Sequence, residues 1–275
     1  MRHASTRLRF VTTRLATGPR LHYAEQGDHT GEAVIFLHAY ADSWRSYSRV
    51  LPLLSPEYHA FAPDQRGHGE SDKPECCYTA DDFAADVDAF MDAVGMERAT
   101  LVGDSSGGMI AREVALTYHR RVSRLVLIGA PTTLVNNEAV LEFMKEVRSL
   151  EDPVPPEFVR ELLVGIVHHA VPAAFLETML SESLKLPARV WRDYWEGVAL
   201  TLDHTARLGE IDAPTLIVWG ERDALVPREE QERLAAAIPD ATLKAYPETG
   251  HLVHWERPEQ FVRDLEGFTK ETRLV

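Results

Sequence analysis

The stretch Thr100-Leu101-Val102-Gly103-Asp104-Ser105-Ser106-Gly107-Gly108 decides the reading of this chain: an apolar run breaks into a turn of small residues with a serine at its apex. It has the G-x-S-x-G pattern of a nucleophile elbow. There a serine sits on a strained strand-to-helix corner, and glycines let backbone crowd it without Cβ clashes. The register selects one residue. Glycines two before and two after occur only around Ser105, at Gly103 and Gly107; centring on Asp104 would need glycines where Val102 and Ser106 stand, and centring on Ser106 meets Asp104. The flanks fit: a strand-like run precedes the turn, and Met109 to Leu116 reads as a helix.

A serine hydroxyl is a weak nucleophile at neutral pH, so it needs a histidine to take its proton and a carboxylate to hold that imidazole in the right tautomer. Both residue types follow downstream. Gly220-Glu221-Arg222-Asp223 comes after the apolar run Thr215 to Trp219, which places Asp223 just past a strand end. Gly250-His251-Leu252-Val253-His254-Trp255-Glu256 follows a second strand-like run, Ala241 to Tyr246.

Two further motifs precede the elbow: Phe36-Leu37-His38-Ala39-Tyr40-Ala41-Asp42-Ser43-Trp44 and Asp64-Gln65-Arg66-Gly67-His68-Gly69-Glu70-Ser71-Asp72-Lys73-Pro74. The first resembles the oxyanion loop and the second the D-x-R-G-x-G-x-S turn of the α/β-hydrolase fold superfamily. With five motifs in order, the chain is identified as a member, the likeness running over nearly its whole length. The resemblance implies a mostly parallel eight-stranded sheet with helices on both faces and an inserted helical cap. By position it makes Ser105, Asp223 and His251 the catalytic triad, in the chain order expected of the family. It makes the backbone amides of Tyr40 and Ser106 the oxyanion donors, two N–H groups preorganised where negative charge develops. The family usually carries glycine directly after the loop histidine; this chain carries Ala39.

Each assignment has rivals. His254, three residues past His251, is a second base on the same turn; the glycine before His251 and the family position favour His251. Asp223 competes with Glu221 and Asp212. The family's alternative placement for the carboxylate is after the preceding strand, where Gly129-Ala130-Pro131-Thr132-Thr133 offers none. Asp42 is expected to cap the helix that follows it. Asp104 is expected to be solvated or bonded to backbone.

Composition fits a compact enzyme equally as well as any soluble globular protein: 275 residues with 45% hydrophobic content can bury a large core. The formal charge of −14 repels phosphate backbones and anionic lipid. No nucleic acid or membrane partner is expected. The stretch from Met1 to Arg7 is basic, yet no apolar h-region follows it, so a cytoplasmic location is favoured. The two cysteines, Cys76 and Cys77, are adjacent and read as free thiols on a loop. Twelve scattered histidines do not make a metal site, and neither metal nor cofactor is expected. Oligomeric state stays open.

Along the chain, strands alternate with helices. Arg9 to Arg14 and Arg20 to Gln26 read as an antiparallel pair, Ala33 to His38 as the first buried strand, Ser46 to Leu54 as a helix and Tyr58 to Ala62 as a strand. Ala80 to Val94 is an amphipathic helix with Thr79 or Asp81 as its cap, and Ser123 to Gly129 another strand. The alternation stops between Thr132 and Leu208. Residues 132–208 therefore read as a helical cap between strands six and seven, and 1–131 with 209–275 as the hydrolase core. The aromatic and apolar cap residues Phe143, Phe158, Phe175, Met179, Trp191, Tyr194 and Trp195 are candidates to line a pocket, and each is individually more at home in packed core.

The leading expectation is a serine hydrolase cleaving a carboxylic ester or lactone of a small apolar substrate through an acyl-enzyme. A serine at the elbow separates the chain from family members that attack with an aspartate. The same triad also serves carbon–carbon bond hydrolases of ring-cleavage products and perhydrolases. Some proteins of this fold are ligand receptors, so fold alone does not settle function.

Overall fold

Runs rich in Val, Ile and Leu pair into one sheet, and the computed structural model describes it within residues 7–272. The basic stretch that begins at Met1 falls outside the described residues except for Arg7. The strands are β1 (Arg9–Arg14), β2 (Arg20–Gln26), β3 (Glu32–Leu37), β4 (Tyr58–Pro63), β5 (Ala99–Asp104), β6 (Val122–Ile128), β7 (Thr215–Gly220) and β8 (Ala241–Tyr246). Their order across the sheet is β1-β2-β4-β3-β5-β6-β7-β8. β1 with β2 and β2 with β4 are antiparallel; all other pairs are parallel.

Parallel strands need crossovers, and the crossover helices cover both faces of the sheet. Alternate side chains divide accordingly. Ile35, Leu101, Leu125 and Ile217 pack on one side with Phe90 of α1 (Ala80–Ala93), Ile110 and Val114 of α2 (Ser106–Thr117) and Leu234 of a later helix, Arg228–Ala237. Val34, Phe36, Val102, Val126 and Val218 pack on the other with Phe261 and Leu265 of the C-terminal helix Pro258–Glu271. Each fully buried side chain of this size contributes about 1.5–3 kcal/mol.

Between β6 and β7 the described elements are helices: α3 (Glu138–Ser149), α4 (Pro156–Gly165), α5 (Ala173–Ser183) and α6 (Ala188–Tyr194), the last running on as a π-turn over Trp195–Ala199. After β7 come α7 (Arg228–Ala237), then, after β8, the short α8 (Val253–Glu256) and α9 (Pro258–Glu271). No helix among the described residues is long and apolar enough to cross a membrane.

Three local expectations are corrected. Ser46 to Leu54 is not a continuous helix but two 3-10 turns, Trp44–Tyr47 and Leu51–Leu53, with Pro52 in the second removing a donor. Ser43 caps the first turn, its side chain accepting from Arg45 N, and Asp42 instead accepts from Ser43 N at 2.8 Å. Cys76 and Cys77, expected as free thiols, are joined sulfur to sulfur in an exposed segment in which Cys77 has φ 74°. Thr79, one of the two expected caps, is the N-cap of α1 and forms a capping box with Asp82.

Close backbone approach fixes the β5–α2 corner. A Cβ on Gly103 would lie 2.4 Å from Gly107 O, and one on Gly107 would lie 2.3 Å from Leu37 O. These neighbours are backbone and cannot swing aside. Gly103→Ala should therefore destabilise the protein by about 1–3 kcal/mol or more, read as a lower midpoint in urea unfolding; an unchanged midpoint would show that the corner can relax.

Candidate active site

The sheet brings the candidate residues to one edge through its topology. β3 and β5 are neighbours, Leu37 pairing with Gly103, while the chain runs from β3 to β4 on the other side. That reversal is a switch point, where loops leaving two adjacent strand ends diverge and open a crevice. The loop after β3 carries Tyr40 and the loop after β5 carries Ser105. Ser105 sits at φ 49°, ψ −119°, and its N–H donates to Ile128 O at 2.7 Å. A left-handed serine of this kind stores about 1–3 kcal/mol, held here by the packed corner. Next to it, Ser106 opens α2, and the N-terminus of that helix favours negative charge. The Tyr40 N–H donates to Ser106 Oγ at 2.9 Å.

Asp223 and His251 meet because β7 and β8 are parallel neighbours, Gly220 pairing with Tyr246. Beyond those ends the loops stay joined: Arg222 N donates to Thr249 O at 2.9 Å, and a Cβ on Gly220 would overlap Gly250 O. His251 Nδ1 and Asp223 Oδ2 are 2.8 Å apart, with side chains only 2% and 0% exposed. Asp223 Oδ1 accepts from the N–H groups of Leu225 and Val226, at 2.8 and 3.0 Å. A carboxylate offers only acceptors, so Nδ1 carries the hydrogen and Nε2 carries the lone pair. His251 Nε2 is buried with no protein partner. Burial alone lowers the His251 pKa; the Asp223 carboxylate, by charge and hydrogen bond, and then Asp104 and Glu256 outweigh it, so the imidazole ends above its ordinary value.

The rivals lie elsewhere. His254 is buried, bonded through Nε2 to Ser46 Oγ at 3.0 Å and stacked on Tyr47; burial pushes its pKa down to about 3, so it is neutral. Glu221 is exposed. Asp212 precedes β7, at the opposite end of that strand from Asp223. At the alternative carboxylate position Gly129 leaves room for the histidine loop: a Cβ there would lie 3.1 Å from His251 Nδ1.

Asp104 is neither solvated nor held mainly by backbone. It is fully buried, accepts from Tyr47 Oη at 2.7 Å, and burial raises its pKa to about 7. Asp42 is likewise buried, and burial followed by the charge of Asp104 pushes its carboxyl well above the usual range.

A cavity of about 330 Å³ opens over Ser105, Ser106, Tyr40 and His251. Its cap side is formed chiefly by Val140 and Phe143 of α3, Leu162 and Leu163 of α4, and Tyr194 with Trp195 where α6 turns into the π-helix. Asp42 lies on its wall, and no Lys or Arg is among the described lining residues. Of the cap candidates, Phe143, Tyr194 and Trp195 reach the cavity. Phe158 stacks on Phe143, Phe175 meets Trp255 edge-on, and Met179 and Trp191 are fully buried outside the lining.

Sequence reasoning missed Glu256. Its buried carboxylate accepts from Gly250 N on both oxygens (3.1 and 3.0 Å), His168 N (3.2 Å) and His169 N (2.6 Å), while His251 N donates to Ile166 O at 3.1 Å. These bonds tie the His251 loop to the α4–α5 connection. An acidic residue in the turn after the histidine was visible, but its partners lie 87 and 88 residues away.

A raised His251 pKa has a definite sign. The base must be neutral to accept a proton, so kcat/KM should fall on the acid side at a pH above the ~6.5 of a free imidazole. Asp223→Asn removes the largest raising influence and should move that limb down while cutting turnover by on the order of 10⁴. His254→Gln should retain turnover. A pH–rate profile with its acid limb below 6 in the wild-type protein would contradict the assignment.

A family model described as the alpha/beta hydrolase fold matches residues 32–258. The chain is 32% identical over 257 residues to a 2-hydroxy-6-oxononadienedioate/2-hydroxy-6-oxononatrienedioate hydrolase from Pseudomonas putida, covering 89% of each chain. It is 30% identical to a 2-hydroxy-6-oxo-6-phenylhexa-2,4-dienoate hydrolase from Burkholderia cepacia, covering 94% of this chain and 95% of the other. Among solved structures, a meta-cleavage product hydrolase from Pseudomonas fluorescens superposes with a TM-score of 0.80 at 27% identity, covering 95% of this chain and 98% of that one. The elbow, the sheet order and the matched span agree: this chain belongs to the α/β-hydrolase fold family.

Proposed function

We propose that this protein is a serine hydrolase cleaving small, neutral, largely apolar esters or lactones through an acyl-enzyme, with Ser105 as nucleophile, His251 as base and Asp223 as its orienting carboxylate. The observation that carries the reading is the cavity: apolar on most sides, walled by Asp42, and without Lys or Arg in its described lining. Ser105 Oγ attacks the carbonyl carbon as His251 Nε2 takes its proton. The carbonyl π pair moves onto oxygen, where the Tyr40 and Ser106 amides would donate to it. Protonated His251 then delivers the proton to the departing oxygen, and water repeats the sequence on the acyl-enzyme. No step requires a cofactor or metal.

The names of the curated relatives support a second reading, carbon–carbon bond hydrolysis of ring-cleavage products, better than they support ester cleavage. The same attack by Ser105 serves both. The two differ in substrate charge, because a dienoate or dienedioate carries carboxylate. Desolvating a carboxylate costs several kcal/mol unless it is paired, and no Lys or Arg is among the described residues lining this cavity. The protein's formal charge of −14 also repels it. A perhydrolase shares the triad; a receptor would show a single turnover at most.

The test is a steady-state panel of acetyl and aryl esters, lactones, a vinylogous diketone acid and that acid's methyl ester. The reading predicts multiple turnovers on the neutral esters and preference for the methyl ester over the free acid. Ser105→Ala should abolish them, a loss on the order of 10⁶. Faster turnover of the free acid than of any ester would establish carbon–carbon hydrolysis instead.

A further inference from the structure

The oxyanion site as the sequence describes it is short of one free donor. The Tyr40 N–H donates to Ser106 Oγ at 2.9 Å, so of the two backbone donors one is engaged. The cap places another donor beside them. Tyr194, at the end of α6, is 1% exposed, lines the same cavity as Ser105, Ser106 and His251, and its hydroxyl is buried with no hydrogen-bond partner. Among polar side chains, that of Ser106 acts most on it.

A buried hydroxyl without a partner costs about 1–3 kcal/mol, so its retention calls for an explanation. The ring is held firmly. Tyr40 lies 5.2 Å away between centroids, Phe83 5.1 Å and His68 5.6 Å, the last two edge-on. The backbone changes from α to π at the next residue, Trp195, a distortion that often marks a functional site. Packing therefore fixes the phenol while leaving its polar end unsatisfied. That is the condition for a preorganised donor, because no reorganisation is needed when charge appears.

We propose that the Tyr194 hydroxyl is a third oxyanion donor, supplied by the cap, which hydrogen-bonds the carbonyl oxygen of the substrate as Ser105 adds to it. As the Ser105 Oγ–carbon bond forms, the carbonyl π pair becomes an oxygen lone pair and the Ser105 proton passes to His251 Nε2. Tyr194 keeps its own proton throughout. Burial holds its pKa above the ordinary tyrosine value, so it remains a donor over the working pH range. The cap thus takes part in the chemistry as well as in choosing the substrate. This inference rests on Ser105 being the nucleophile.

The experiment compares Tyr194→Phe, Ser105→Ala and the wild-type protein on whichever neutral ester turns over, and measures the inhibition constant of an alkylboronic acid, a tetrahedral anion mimic. Phe keeps the ring packing and removes only the donor. Tyr194→Phe should lower kcat by up to on the order of 10² with KM within about twofold, and weaken the boronate by a similar factor. Unchanged kcat, or a rise in KM alone with boronate affinity intact, would overturn the proposal. If Ser105→Ala is inactive in that case, only this inference fails; if Ser105→Ala is active, the nucleophile itself is misassigned. Should Tyr194→Phe fail to fold, 3,5-difluorotyrosine at position 194 keeps shape and donor and acidifies the phenol. A donor role then predicts loss of kcat at alkaline pH where wild type retains it, and an unchanged profile rejects the role.

Discussion

The hydrogen bond between His251 Nδ1 and Asp223 Oδ2, 2.8 Å long and closed to solvent, is the interaction on which the rest of the site depends. It fixes the tautomer, and so leaves the lone pair on Nε2 of a histidine that lines the same cavity as Ser105. Much of the surrounding architecture serves to keep two short loops together. Parallel pairing of β7 with β8 starts them side by side, the contact of Gly220 with Gly250 holds them close, and Gly129 clears the end of β6 for the imidazole. Glu256 then locks the histidine loop to the helices above it.

Around this pair the protein manages charge by burial. His38, His68 and His254 are buried and held below their ordinary pKa, so they contribute neutral imidazoles near the strand ends. Asp42 and Asp104 are shifted the other way. An ionised carboxylate close to a developing oxyanion would oppose it, and burial disfavours the charged form of both residues. Tyr47 satisfies one oxygen of Asp104 and packs against His254, which links the carboxyl layer to the imidazole layer. The N-terminus of α2 supplies the opposite, favourable polarity at Ser105.

What the sequence disclosed is what local pattern can encode. Runs such as Ala241–Tyr246 announce buried or half-buried strands, and the glycines around Ser105 announce a corner that only small residues fit. Asp223 and His251 were legible because each follows a strand end, and neighbouring parallel strands deliver their ends to one place. The role of Asp42 was not, because a carboxylate before a helical turn reads as a cap until Ser43 is seen to take that place. Tyr194 could not be separated from Trp191 by type or spacing. Both are aromatic residues of α6, and only tertiary packing turns one toward the cavity and the other into the core. Glu256 was hidden for the same reason, since its partners come from a distant part of the chain.

Covalent attack by Ser105 is the step on which the proposed chemistry depends. The direct measurement is rapid acid quench of the protein turning over a neutral acetyl ester, followed by mass spectrometry of the peptide spanning the β5–α2 corner. One acetyl group on Ser105, absent in Ser105→Ala, is the predicted result. An acetyl group on Ser106, or sustained turnover with no acyl group on that peptide, would contradict it.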